Sequence, residues 1–260
     1  MDLKFPVPRI TEGFIDLVVD AIGGRRPTDA EKDHEQTKNA DYLFTGGVGE
    51  LKILEEEPLE KKERQDRIAK ELGEKYLIAS GVDLDIKRMN AFVRADYKEL
   101  VGVPIKKAVK KAARQIEATK RHLGRTLDYG LLIAVNNGFN SLPHDEFDNL
   151  VLTYCRKETS QIDFILCTTV EYHQGSFDSY VFCFTEGYSV HGGIENPLRR
   201  SFQEAVGEEF NKRMNDIMRN QMELMRKNEE LLEPVTDIRF ERDGVVFVRD
   251  APEVPDSRFI

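Results

Sequence analysis

Asp41, Glu50 and Lys52 are the residues of this chain whose types and spacing can do chemistry together. Side chains at i and i+2 of a strand share a face, so Glu50 and Lys52 project together while Leu51 packs behind. The run Asp41-Tyr42-Leu43-Phe44 and the alternating apolar run from Val48 flank Thr45-Gly46-Gly47, which is turn chemistry, and the whole reads as a β-hairpin. That hairpin brings Asp41 alongside Glu50 and Lys52, and glycines 46, 47 and 49 leave room for a bulky ligand to approach the backbone. Two carboxylates at a sheet edge, with the Leu51 backbone carbonyl as a third protein oxygen, suit Mg2+ or Mn2+, whose remaining positions go to water and a phosphate oxygen. A cation held there acidifies a water and neutralises charge on a phosphoryl group. Lys52 beside it can hold or deprotonate the attacking water, or stabilise the pentacovalent phosphorus. Phosphodiester hydrolysis needs this combination. The plainer alternative is a solvated cross-strand pair of Glu50 and Lys52, worth a few tenths of a kcal/mol.

The elements that must position these groups follow from periodicity. Residues 11–22 place Phe14, Leu17, Val18 and Ala21 on one helical face, with Thr11 as N-cap and Gly23-Gly24 as the stop. Residues 25–39 are polar and read as a loop with one helical turn, and residues 55–80 are highly charged with helical periodicity, ended by Gly81. Pro104 opens a helix that runs to about Leu123, where Gly124 terminates it. Tyr129–Asn136 is nearly continuously apolar, the mark of a strand covered on both faces. Residues 143–156 read as a helix, and residues 162–172 and 179–184 as strands, the second with Phe177, Tyr180, Phe182 and Phe184 at strand spacing. A long polar helix is expected over 197–232, then a hairpin of residues 238–240 and 245–249 turning at Asp243-Gly244. This order indicates an α/β sandwich around a central mixed β-sheet flanked by helices. Residues 1–195 form the expected α/β core and residues 196–260 a C-terminal helical arm plus hairpin, a candidate dimerisation element. The arm's thin, Met-rich seam of Phe202, Val206, Phe210, Met214, Ile217, Met218, Met225 and Leu232 suits a partner helix, so a homo-oligomer, and a dimer first, is expected.

The helix after Pro104 carries Lys106, Lys107, Lys110, Lys111, Arg114, Lys120, Arg121 and Arg125 opposite a stripe of Ile105, Val109, Ala112, Ile116 and Leu123. A helix packed by one face and basic on the other can lie along a phosphate backbone, with Lys107, Lys110, Lys111 and Arg114 as the contacting set. The chain as a whole is acidic, with 38 Lys+Arg against 47 Asp+Glu among 260 residues and a net charge of −9. That argues against a protein that coats nucleic acid over its whole surface but not against one with a local basic groove. No run of eighteen apolar residues exists, so a membrane span is not expected, and the N-terminus lacks a signal peptide's apolar centre. Cys155, Cys167 and Cys183 are odd in number and sit among apolar residues, which suggests buried free thiols and a cytoplasmic protein. The five histidines show no zinc-ligand spacing. The segment from Gly46 to Lys52 precedes a strand and lacks the Gly-Lys-Ser/Thr ending of a nucleotide-triphosphate loop.

Ala40-Asp41-Tyr-Leu-Phe followed on the next strand by Glu50-Leu-Lys52 resembles the PD-(D/E)XK nuclease superfamily, which includes restriction endonucleases and many defence and repair nucleases. The resemblance spans roughly residues 10–185, including the order of upstream helix, hairpin, helical crossover and apolar strand. Ala40 stands where the name-giving proline would be, and the charged insert between hairpin and crossover helix is long. The resemblance implies a restriction-endonuclease-like fold and Mg2+-dependent cleavage of DNA by a restriction or defence type endonuclease, with Asp41, Glu50 and Lys52 catalytic. It also implies a polar residue from the crossover helix, here Gln115, and sometimes a carboxylate from the first helix, here Glu12 or Asp16 from a stripe that continues to Asp20. On their own terms Gln115 reads as a helix-surface hydrogen bonder, and the stripe as a solvated acidic face. The competing reading is a catalytically inactive nuclease-fold protein that acts as a protein-interaction or nucleic-acid-binding module. Nothing in the sequence distinguishes DNA from RNA.

Overall fold

The computed structural model describes residues 7–34, 39–73, 81–124, 127–174, 179–219 and 231–251. Helix α1 (Glu12–Ala21) begins where the Thr11 hydroxyl accepts a hydrogen bond from Phe14 N at 3.2 Å. Its buried face is Phe14, Ile15, Val18 and Val19, while Leu17, expected inside, is half exposed. The hairpin follows as β1 (Tyr42–Phe44) and β2 (Gly47–Leu54). The single charged helix expected over 55–80 is instead broken up. Pro58–Glu60 is a 3-10 turn, α2 spans only Lys62–Ile68, Ala69–Gly73 is a π-turn, and residues 74–80 lie outside the described residues. Pro58 has no N–H to give a helix interior, and Glu57 before it is buried with its carboxylate accepting from Leu59 N, which ends the strand and delays the helix.

Two elements have no counterpart in the sequence reading, β3 (Val82–Asp83) and α3 (Ala91–Val101). The signal for α3 was its N-cap: the Asn90 side chain accepts from Phe92 N and Val93 N at 3.1 and 3.0 Å. Helix α4 (Val103–Leu123) has Pro104 in its first turn and stops at Gly124, whose φ of +57° is the left-handed conformation glycine takes freely. Then come β4 (Tyr129–Asn136), α5 (His144–Glu158), β5 (Phe164–Gln174) and β6 (Ser179–Ser189). Strand β6 runs five residues beyond the expected end because it pairs with β5 in continuous register, from Ser179 opposite Gln174 to Ser189 opposite Phe164. Helix α6 (Arg199–Arg219) is followed after the undescribed residues 220–230 by Leu231, which bridges to Pro8, so the helix has ended before the expected Leu232. The last two strands are β7 (Ile238–Arg242) and β8 (Val245–Arg249), joined through Asp243 and Gly244 at φ +51° and +78°.

The five-stranded sheet has the order β1-β2-β4-β5-β6, with β2, β4 and β5 parallel and the outer strands antiparallel. It is an α/β fold in which a central mixed sheet is flanked by helices. Val48, Leu132, Ala134, Ile165 and Cys167 point to one face and pack with α3, α4 and α5. Leu51, Leu131, Ile133, Val135 and Leu166 point to the other and pack with α1 and α6. Strand β4, buried from Gly130 onward, is covered on both sides as its apolar run implied. The seam of α6 is spent within the chain, since Phe202, Val206 and Phe210 are buried with α1. Met218 is half exposed, and Met225 lies outside the described residues.

The C-terminal hairpin also turns back onto the body of the protein. Strand β8 pairs in parallel with β3 in a second, three-stranded sheet, and Arg242 reaches Asp66 at 2.6 Å. No helix among the described residues is long and apolar enough to cross a membrane. All three cysteines are free thiols, Cys155 and Cys167 buried and Cys183 partly so, and burial pushes Cys155 and Cys183 up to about 12.

Asp148 of α5 is buried, with Tyr188 donating to its Oδ2 at 2.9 Å, and burial pushes its carboxyl from 3.8 up to about 7. The folded state therefore holds a proton that the unfolded chain releases at lower pH. The stability from that proton is whole below about pH 4 and lost as pH rises through 7. Asp148→Asn keeps the shape and accepts from Tyr188 without the charge. We expect the unfolding free energy of the wild type to fall between pH 5 and 8 by up to about 3 kcal/mol more than that of the variant, measured by urea denaturation. Parallel pH profiles would contradict this.

Candidate functional site

Gly46, with φ +75°, closes the turn that sets Tyr42 opposite Gly49 and Leu43 opposite Val48, and the same register carries Asp41 to a position opposite Glu50. The two acidic residues are tied crosswise. Asp41 N donates to Glu50 Oε2 at 3.2 Å, and Leu51 N donates to Asp41 Oδ2 at 2.9 Å. Leu43 and Val48 pack under α4, and since Asp41, Glu50 and Lys52 lie at alternate positions from them, their side chains face the same helix. From that helix Gln115 completes the group. Its Oε1 accepts from Lys52 Nζ at 3.2 Å, while its Nε2 donates to Asn39 O at 3.1 Å. Thr119, one turn on, fixes the start of the strand by accepting from Ala40 N at 2.8 Å.

The Lys52 ammonium is ion-paired with Glu50 Oε1 and donates to Leu51 O at 3.1 Å. Three oxygens, from Glu50, Leu51 and Gln115, thus converge on one cationic nitrogen. Glu50 is 1% exposed, and its carboxyl is pushed up to about 8, first by burial and then by the charge of Asp41, against the opposing pull of Lys52. These groups open into a cleft of about 770 Å³. Its other walls include Glu12 of α1, Arg26 and Lys32 from the loop after α1, Glu55 after β2 and Lys111 from α4.

The candidate residues separate into three groups. Asp41, Glu50, Lys52 and Gln115 meet, as does the Leu51 carbonyl. Glu12 stands at the cleft wall, and Asp16 is held away from it by Tyr42 Oη, which donates at 2.8 Å, and by Arg26 Nε, also at 2.8 Å. Of the basic set, Lys111 lines the cleft and Lys107 lines an adjoining groove of about 530 Å³ that shares Ile53 and Glu55 with it. Lys110 is paired with Glu158 of α5 at 2.8 Å, and Lys106 with the same carboxylate at 2.7 Å, so that part of the basic face is neutralised. Among the described residues Lys107, Lys111 and Arg114 make no ion pair. Arg26 was missed. It sits in a polar loop without periodicity, and only the fold brings it to the cleft, its guanidinium 5.2 Å from the centre of the Tyr42 ring.

One expectation is overturned. The glycines at 47 and 49 do not leave space for a ligand, because the protein's own rings fill it. A Cβ on Gly47 would meet the Tyr129 ring at 2.2 Å, and one on Gly49 the Phe44 ring at 2.7 Å. Phe182 and Phe184 stack on each other at 5.8 Å, and His144 at the start of α5 stacks on Phe184 at 5.2 Å, while Phe184 stays 38% exposed; Phe177 lies outside the described residues.

For a divalent cation the donor chemistry fits. The oxygens are hard, and two carboxylates face each other across a strand pair in a buried setting that leaves Glu50 hard to ionise. Among the described residues no group of three or more His, Cys, Asp and Glu side chains is placed to hold a metal ion. Comparison of the chain with known protein families, with curated proteins and with solved structures gives no match.

Proposed function

We propose that the chain is a metal-dependent phosphodiesterase of the PD-(D/E)XK kind, a restriction or defence type endonuclease acting on DNA. The observation that carries the reading is that Asp41, Glu50 and Lys52, from two neighbouring strands, present their side chains to one face of a cleft large enough for a nucleotide unit. Support also comes from the order of helix, hairpin, crossover helix and buried parallel strand, and from Gln115 on the crossover helix, where the resemblance expects a polar residue. Asp41, Glu50 and the Leu51 carbonyl would hold Mg2+ or Mn2+, and the ion would supply charge neutralisation at the phosphoryl group and a more acidic water.

The chain's own groups do the rest. Lys52, positioned by Gln115, orients the attacking water and offsets negative charge that builds on phosphorus. Lys111, at the cleft, and Lys107, in the adjoining groove, meet the phosphates that flank the scissile bond. Asn39 O, through Gln115, keeps the ammonium from swinging into solvent.

Calorimetric titration with Mn2+, beside a cleavage assay on plasmid DNA and on RNA, tests the reading. The wild type should bind Mn2+ saturably and cleave DNA, and Asp41→Asn should lose both, binding at least about tenfold more weakly. If no saturable binding depends on Asp41 and Glu50 and no substrate is cut, the enzyme reading fails and a non-catalytic interaction module remains. Cleavage of RNA alone would move the substrate class.

A further inference from the structure

A second cavity, of about 140 Å³, lies past the carboxyl ends of the parallel strands, where open α/β sheets commonly receive small ligands. Ser141 and Pro143 line it from the loop between β4 and α5, Glu171 from the end of β5, and Arg249 and Asp250 from the end of β8. Two observations give it chemistry. Ser141 is 1% exposed, and its Oγ has no hydrogen-bond partner among the described residues. Arg249 is 7% exposed, and its Nη1 has none either, although its charge partly offsets that of the buried Glu57 nearby. Buried donors left unmade are expensive, the charged one most of all. Helix α5 also begins at this wall, but its first turn already carries Asp145 and Glu146, which offset its positive end.

The two buried donors, with Lys87 also in the lining, call for an oxyanion, but the lining holds carboxylates as well. Asp85 is occupied by the Lys87 N–H and by Arg88. Glu171 has only His173 at 3.4 Å, and Asp250 has no ion pair among the described residues. A phosphate dianion would be repelled by both. We propose that this cavity binds a small zwitterion of amino-acid size, its carboxylate on Arg249 and Ser141 and its ammonium on Glu171 and Asp250. The site is separate from the Asp41–Glu50 cleft and shares no lining residue with it.

The test is calorimetric titration of the full chain with the common free amino acids, and with acetate, methylamine and inorganic phosphate as single-charge and dianion probes. At least one amino acid should bind saturably at one site, with acetate, methylamine and phosphate at least about tenfold weaker. Ser141→Ala removes an oxygen with no hydrogen-bond partner among the described residues, so it should leave the melting temperature in place while weakening the amino acid about tenfold. Glu171→Gln should weaken the amino acid by a similar factor and leave acetate unchanged or tighter. The proposal is overturned if no amino acid titrates up to about 10 mM, if phosphate binds as tightly as the best of them, or if Ser141→Ala binds like the wild type.

Discussion

Lys52→Ala should lower DNA cleavage about 10²- to 10⁴-fold, the range for losing a positioned proton-transfer group or a preorganised charge at the reacting centre. Duplex binding should change little, because the phosphate contacts assigned to Lys107 and Lys111 lie elsewhere on the cleft and its adjoining groove. The fold should survive as well. Losing the ammonium leaves Glu50 buried without its partner, but that carboxyl is already pushed up to about 8 and can take a proton instead of carrying an unpaired charge. Lys52→Arg separates the two roles, since it keeps a positive charge but cannot act as a base. Activity within a factor of about three of the wild type in Lys52→Ala would remove Lys52 from the reaction and the mechanism with it.

Gly130→Ala should destabilise the protein by about 3–5 kcal/mol, more than a single added methyl usually does. Gly130 sits in the central strand opposite Val48, and a Cβ there would lie 1.9 Å from the backbone oxygen of Gln161. The approaching segment cannot retreat. Asp163 brackets the glycine twice, accepting from Gly130 N at 2.7 Å through its carboxylate and donating to Gly130 O at 2.8 Å through its backbone N–H. Any relief would break one of these bonds or move β4, and β4 holds β2, which carries Glu50 and Lys52. Thermal denaturation reads the loss directly. By contrast, an added methyl at Gly207 meets no atom within 4 Å. A melting temperature within a few degrees of the wild type would show that the 161–163 segment can move aside after all.

Much of this architecture was legible because the decisive elements are strongly periodic or cleanly punctuated. The apolar run of β4, the proline and glycine that bracket α4, the Asp243-Gly244 turn and the Thr11 cap each reflect one local physical rule, and the structure shows each. The juxtaposition of Asp41, Glu50 and Lys52 was legible for the same reason, since strand alternation and a short turn leave little freedom. What could not be read depends on distant partners. Helix α3 is weakly patterned and keeps Phe92 exposed, so only the rest of the fold gives it a place. The charged stretch 55–80 carried helical spacing, yet Glu57 is pulled inward to accept from Ser141 N at 2.6 Å, 84 positions away. The glycines near the turn looked like open space because no sequence shows which aromatic ring will fill it; Tyr129 and Phe44 do. Arg26 reaches the cleft through bonds to Asp16 and Glu12 that no spacing rule anticipates.

The late hairpin has a consequence for assembly. Phe240 and Phe247 join the cluster that contains Ile68, Leu72, Val82 and Leu84, and Arg242 meets Asp66 across 176 positions of chain. Until β7 and β8 have been synthesised, those early hydrophobic side chains lack the part of their cover that Phe240 and Phe247 supply, and β3 lacks the strand it pairs with among the described residues. Closing so large a loop is slow relative to local helix formation, so the nascent chain passes through a stage in which Ile68, Leu72, Val82 and Leu84 are less covered than in the folded protein. A chaperone or a protease meeting the polypeptide during translation would find its foothold there.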